Sequence, residues 1–299
     1  MNTRFHGSRA VAAATLAALL LGAVAITPAA AITRGGTLDG DDHPMVGLLT
    51  VHAEGDEYLW RCSGTLISPT IFITAGHCTE PDDSQGFGLP AYGLIYFTGE
   101  LIEPDPDFDI ATRSCDGIEG YPCGDQGGEL ITRTGDLFLH PDYDPNAFYT
   151  HDLGVVVLHG PLTLDAYGEL PELNQLDELE PGLGTRFDSV GFGLQRAHGP
   201  GASWRDIADR VRMVAHPYLL QLNIGRPVIR DFAMLLSNNP TTGGTCFGDS
   251  GGPNFLAGTL TIAAVTSFAT NWTCAGTGGV FRLDRADDLE WLEEEFGVS

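Results

Sequence analysis

"GGTCFGDSGGP", residues 243 to 253, sets one serine, Ser250, among five glycines beside an aspartate and a cysteine. Glycine tolerates backbone angles closed to other residues and lets a second chain come close, which suits a reactive loop. Gly, Asp and Ser are equally the residues of an ordinary turn. A serine hydroxyl becomes a useful nucleophile only when a histidine takes its proton, a carboxylate orients that histidine, and backbone N–H groups receive the developing oxyanion. The loop therefore has chemical meaning only if the chain supplies a histidine and an acid in an order that some fold can bring together.

"GDSGG" fits G-x-S-x-G, the nucleophile elbow of α/β-hydrolases, where the histidine follows the serine. The last histidine in this chain is His216, so nothing after Ser250 can serve as that base. The esterase or lipase reading fails on this point. Upstream, "TLISPTIFITAGHC" puts His77 directly after a β-type run and beside Cys78, and "HPDYDPNAFYTHDLGVVVL" puts Asp152 at the mouth of an apolar strand. Taken singly, each of the three is an ordinary residue: a surface histidine, a strand-capping aspartate, a turn serine.

The first residues carry Arg4 and Arg9, then an apolar run, then Ala29 and Ala31 spaced as a signal peptidase site. The run is about 17 residues, shorter than the ~20 a bilayer span needs, so residues 1–31 read as a secretory signal and the protein as extracellular. All six cysteines, Cys62, Cys78, Cys115, Cys123, Cys246 and Cys274, follow it; an even count in an exported chain favours three disulfides, and spacing alone leaves the pairing open. No CxxC pair or nearby histidine pair supports zinc. Asp105, Asp107 and Asp109 alternate in an acidic loop but lack the EF-hand glycine and glutamate spacing, so solvated carboxylates rather than calcium ligands are expected, and no cofactor or metal is invoked. The formal charge is −25 over 299 residues, and all 15 basic residues are arginine. Such a surface repels nucleic acid and anionic membrane.

Short runs such as "MVGLLTV", "AYGLIYFTGEL", "LGVVVL", "FDSVGFGL", "LTIAAVTSFA" and "GGVFRL" recur between Gly, Pro and Asp clusters. Many short strands with turn signals between them argue an all-β sandwich or barrel. "DRADDLEWLEEEF" closes the sequence as a helix with Asp284 at its N-cap and Leu289, Leu292 and Phe296 on one face. Residues 79 to 130 read as long surface loops around a strand or two, and residues 165 to 187 as a linker with a short helical turn. That linker divides the chain into units at 32–165 and 166–299.

"TAGHC", "HDLGVVVL" and "CFGDSGGP", in that order, resemble the histidine, aspartate and serine motifs of the chymotrypsin/trypsin family of serine endopeptidases, and "VGFG" at 190 to 193 resembles the start of that family's second barrel. The resemblance implies two six-stranded antiparallel β-barrels and a terminal helix. It implies His77 as general base, Asp152 as its orienter, Ser250 as nucleophile, and Gly248 and Ser250 N–H as the oxyanion hole. It also implies bridges Cys62–Cys78 and Cys246–Cys274, leaving Cys115 with Cys123, and shows Leu236 where the family carries a further cysteine. Gly244 stands where trypsins place a specificity aspartate. With Phe247 at the rim, Gly279 and Ala269 as walls and Ser267, Phe268 and Ala269 as the substrate-pairing strand, the implied pocket is apolar and favours Leu, Met, Phe or Tyr over Arg or Lys. Ile32, exposed by cleavage after Ala31, would pair its ammonium with Asp249. The remaining histidines, among them His43, His52, His140, His151, His159, His198 and His216, are expected on the surface or in loops. The protein is expected to be a monomer meeting protein or peptide substrates and proteinaceous inhibitors. The competing expectation is a catalytically silent binding module on the same fold.

Overall fold

β-branched and aromatic residues bounded by turn formers fit a pleated, half-buried surface, and these runs become strands. The computed structural model describes residues 32–33, 35–81, 89–102, 131–147, 149–222 and 232–299. In the amino-terminal half the strands are β1 Thr37–Leu38, β2 Val46–Ala53, β3 Tyr58–Leu66, β4 Ile71–Thr74, β5 Pro90–Phe97, β6 Ile131–Leu139 and β7 Gly154–Leu158. The other half contributes β8 Gly182–Gly191, β9 Met213–Ala215, β10 Tyr218–Gln221, β11 Ala233–Asn238, β12 Pro253–Leu256, β13 Ile262–Ala269 and β14 Gly276–Arg282, followed by the helix α1, Ala286–Phe296.

The first barrel closes in the order β2-β3-β4-β7-β6-β5, antiparallel throughout. All eight residues of β2 are buried, because one face lines the barrel and the other lies under the rest of the molecule. The second ring runs β8-β10-β11-β14-β13-β12 and returns to β8, whose length lets it pair with β10 at Gly182 and Arg186 and with β12 at Phe187–Ser189. β9 pairs with the end of β8, and β1 extends the sheet through β9. Thr37–Leu38 are thus attached to the second barrel. The helix α1 crosses the other way: Trp291 meets His140 edge-on at 4.8 Å and Phe296 meets Phe138 at 5.4 Å, both on the first barrel. The expected two-barrel, all-β fold with a terminal helix is the fold observed.

Several local expectations change. Asp284 is not the N-cap; α1 starts at Ala286 with Arg285 before it, and the buried Asp284 carboxylate instead accepts Arg282 Nε at 2.9 Å and Leu176 N at 2.8 Å. A guanidinium that is itself 1% exposed needs that charge more than the helix needs a cap. His52, expected at the surface or in a loop, lies in β2 with 0% exposed, whereas His140 is in a loop as expected but only 2% exposed. Leu236 pairs in register with Leu219, and the two buried leucines pack with Phe187, Met234 and Val280 where the family carries a bridge. The short helical turn of the linker is a 3-10 turn at Gln175–Glu178. Residues 1–31, the pair Cys115 and Cys123, and Asp105, Asp107 and Asp109 lie outside the described residues.

Candidate active site

His77 sits in a 3-10 turn, Gly76–Cys78, directly after the fully buried strand β4. The Cys62–Cys78 disulfide ties this turn to β3, and Trp60 Nε1 donates to Cys78 O at 3.0 Å. A Cβ on Gly76 would come 3.0 Å from Leu153 N on the aspartate segment, a tight approach. The two segments are packed backbone to backbone.

Asp152 is fully buried at the entrance to β7. Its Oδ1 accepts His77 N at 2.9 Å, its two oxygens lie 3.1 and 3.0 Å from His77 Nδ1, and its Oδ2 accepts the Ser267 hydroxyl at 2.5 Å. A carboxylate against Nδ1 keeps the ring proton on that atom and leaves Nε2 as a lone pair facing the cleft. Burial would lower the His77 pKa; the charge and hydrogen bond of Asp152 outweigh it and leave the pKa raised. Ser267 was read from sequence only as a substrate-pairing strand residue. Its hydroxyl is also the third donor to Asp152.

Ser250 lies between two anchors. Its carbonyl accepts Ser63 N at 2.7 Å, and Gly251 N, next in the chain, donates to Thr266 O at 2.7 Å. Among the described residues no hydrogen bond joins Ser250 Oγ to the imidazole. Leu194 N donates to Phe247 O at 2.9 Å, so the trans peptide that follows turns Gly248 N–H the opposite way. Among the described residues neither Gly248 N–H nor Ser250 N–H has a protein partner, whereas Asp249 N between them donates to Cys246 O at 3.0 Å. Gly248 has φ +93, and a Cβ there would stand 3.0 Å from Arg61 Nε and 3.1 Å from Gly193 Cα.

Asp249 is buried behind this loop, accepting Gly193 N at 2.7 Å and Cys246 N at 2.9 Å. Burial pushes its carboxyl up to about 7, against those bonds and the Arg61 charge. Ile32 is also buried, among Val211, Met213 and Ala215, with φ +48. No hydrogen bond joins it to Asp249 among the described residues.

His77 and Ser250 open on one cleft of about 370 Å³, which Thr245, Phe247, Ser267, Phe268 and Ala269 help to line. Gly244 and Gly279 are set back from that lining: the Asn238 side chain occupies the space beside Gly244, and the Phe268 ring lies over Gly279. Thr245, which sequence reasoning did not single out, brings a hydroxyl into the lining. Cys246–Cys274 tethers the rim to the loop that carries Trp272, whose ring lies 5.8 Å from that of Phe247.

The trypsin family model matches residues 124–285, more than half of the chain. The chain belongs to the trypsin family. Brachyurin of Leptuca pugilator is 28% identical over 245 residues, covering 81% of this chain and 90% of that protein. An uncharacterized peptidase of Corynebacterium glutamicum is 26% identical over 276 residues, covering 90% of this chain and 74% of that one. Among solved structures, HL collagenase superposes with a TM-score of 0.59 at 16% identity over 88% of this chain and all of that chain. Human heparin binding protein does so with 0.57 at 19% identity over 89% and 98%. These structures share the trypsin-family fold; one is a collagenase and the other a heparin binding protein.

Proposed function

We propose that this trypsin-family chain is an active, exported serine endopeptidase, cutting peptide bonds through an acyl-enzyme on Ser250. The observation that carries the reading is the pairing of a buried carboxylate with His77 Nδ1 in a cleft that Ser250 also lines, next to a loop whose Gly248 and Ser250 N–H groups have no partner among the described residues. His77 takes the Ser250 proton on Nε2 as the hydroxyl attacks; the oxyanion is received by the two N–H groups; the proton is returned to the leaving amine, and water repeats the cycle. The hydrogen bond from Ser250 to His77 forms when substrate orders the cleft, as catalytic hydrogen bonds often do.

Peptides with Leu, Met, Phe or Tyr before the cut are the proposed substrates, because Phe247, Phe268 and Ala269 line the cleft and, among the described residues, no fixed anion does. The units at 32–165 and 166–299 would then divide the triad, His77 and Asp152 on one and Ser250 on the other. Activation by the Ile32 ammonium, pairing with Asp249 after removal of residues 1–31, belongs to the same proposal. The binding-module reading draws on the heparin binding neighbours, yet a chain of formal charge −25 is poorly suited to a polyanion.

The test is a serine-directed fluorophosphonate with mass mapping, and a peptide panel varied before the cut. Adduct on Ser250, loss of turnover by several orders of magnitude in Ser250→Ala and His77→Ala, and at least ~10-fold preference for apolar residues over Arg are expected. No adduct and no cleavage by the processed protein would leave the binding module.

A further inference from the structure

Behind Asp152 lie three groups that catalysis as described does not use: His140, buried at the end of β6, His151, partly buried just before Asp152, and Asp288, buried on α1. His151 Nδ1 is 3.5 Å from Asp288 Oδ1 and 3.7 Å from Asp287 Oδ2, and His140 Nε2 is 3.6 Å from Asp288 Oδ1. Among the described residues, His140 Nε2 and Asp288 Oδ2 have no hydrogen-bond partner.

Two histidines and a carboxylate at these separations suggest a metal, since a tetrahedral zinc site has ligand-to-ligand edges of about 3.4 Å. The ring geometry argues otherwise. The imidazoles of His140 and His151 stack 4.8 Å apart with an interplanar angle of 11°. An imidazole ligates in its own plane, and two near-parallel stacked rings share no in-plane point. Asp142 N also donates to His140 Nδ1 at 3.2 Å, which leaves the ring proton of the neutral histidine on Nε2, the atom a metal would need.

What the cluster does hold is the backbone at His151. That residue has φ +50, in the left-handed region, and its carbonyl accepts Leu153 N at 2.7 Å, closing a three-residue turn with Asp152 in the middle. Such conformations persist where the surroundings over-determine them. Here the ring is stacked on His140 from the first barrel, met edge-on at 4.8 Å by Phe232 beside β11, and faced by the carboxylate of α1. We propose that His151, clamped to Asp288 of the terminal helix, is a positioning residue that holds the Asp152 carboxylate against His77. The inference rests on the peptidase reading for its consequence, though not for its geometry.

The charges agree. Burial opposes protonation of His151, and Asp288, Asp287 and Asp142 outweigh it and raise its pKa. Burial raises Asp288 to about 6 against His151 and Arg285, and lowers His140 to about 4, so His140 is neutral when the pair is charged. Phe232 and Phe281 contribute no charge.

The test compares His151→Val, His151→Asn and Asp288→Asn in the full chain. Three readouts are taken: kcat and KM on a peptide, the melting temperature, and the His77 pKa by NMR of labelled histidine. Val resists a left-handed backbone, whereas Asn adopts it readily and keeps a donor for Asp288. His151→Val and Asp288→Asn should lower kcat at least ~10-fold with KM within about twofold, because a carboxylate displaced from Nδ1 no longer orients the base. Both should also move the His77 pKa downward, as the Asp152 charge recedes. His151→Asn should keep most of kcat and the wild-type His77 pKa. A wild-type kcat and His77 pKa in His151→Val and Asp288→Asn overturn the proposal. So does a loss of kcat that merely follows the folded fraction while His77 titrates unchanged. Zn²⁺ binding to the wild-type protein that His140→Ala abolishes overturns it as well, because it needs the rings out of their stack. If the wild-type protein hydrolyses nothing yet His77 still shifts in His151→Val, the peptidase reading fails and the clamp stands.

Discussion

Replacing Gly251 with alanine tests how closely the serine loop is pressed onto the first barrel. Gly251 has φ +78, where an alanine pays about 1–2 kcal/mol for the left-handed backbone. Its Cβ would stand 2.5 Å from Ser63 O and 2.6 Å from Ala75 N, and would overlap Thr74 Oγ1. Two of these are backbone atoms at the walls of β3 and β4, and Thr74 Oγ1 is itself held to Ser63 O at 2.7 Å. Overpacking against such neighbours costs about 1–3 kcal/mol more, so Gly251→Ala should destabilise by about 2–5 kcal/mol. Gly258 is the matched control: φ is +75 and nothing lies within 4 Å of its Cβ position, leaving only the conformational cost. Urea unfolding followed by tryptophan fluorescence gives both values, and the melting temperatures should separate by about 2–4 °C for each kcal/mol of crowding. Relief of the overlap carries the adjacent Ser250 away from His77, so peptide turnover should fall ~100-fold in Gly251→Ala and stay near wild type in Gly258→Ala. Equal destabilisation of the two variants, with turnover intact in both, would refute the close approach.

Asp249 should make stability depend on pH in an unusual direction. Its folded pKa of about 7 stands above the unfolded 3.8, so the favourable contribution is complete below about pH 4 and is lost as pH rises toward 7. Relative to Asp249→Asn, a chain extended by Met-Ala before Ile32 should lose about 4 kcal/mol across that window in urea titrations; parallel curves would count against a buried, unpaired acid. In protein cut before Ile32, an ammonium partner would reverse the slope, and equal peptide turnover by cut and extended forms would remove the activation proposal. Replacing both Cys246 and Cys274 with alanine opens a loop of 28 residues and should cost about 3–4 kcal/mol in unfolding free energy, with KM rising more than kcat falls because the rim at Phe247 loosens. An unchanged KM would mean that the bridge does not shape the substrate cleft.

The three site motifs were legible because each is a local string whose order excludes the competing hydrolase. The strands β4 and β7, beside His77 and Asp152, were legible too as largely apolar runs, and so was β13, which brings Ser267 to the site. β6 was not, since "ITRTGDLFL" mixes exposed and buried positions and carries Gly135 and Asp136. β8 begins at Gly182, inside a glycine-rich stretch that reads as linker. The bonds that complete the site were illegible for another reason: Ser267 reaches Asp152 across 115 residues and His151 reaches Asp288 across 137, and no periodicity spans such distances. Asp284 differs: its helix-capping look is overridden by Arg282, two residues earlier, and by Leu176 N across 108 residues.

The crossed attachment of Thr37–Leu38 and of the helix at 286–296 sets an order of assembly. The strand at Thr37–Leu38 needs β9 to pair with, and the helix that presses on His140 and His151 comes after every strand of both barrels. A polypeptide emerging from its amino end therefore has His77 and Asp152 early, but lacks the surface that steadies the aspartate until residues 286–296 arrive. Vectorial synthesis thus makes completeness a condition of competence: a chain ended before residue 286 carries His77, Asp152 and Ser250 and none of the late support.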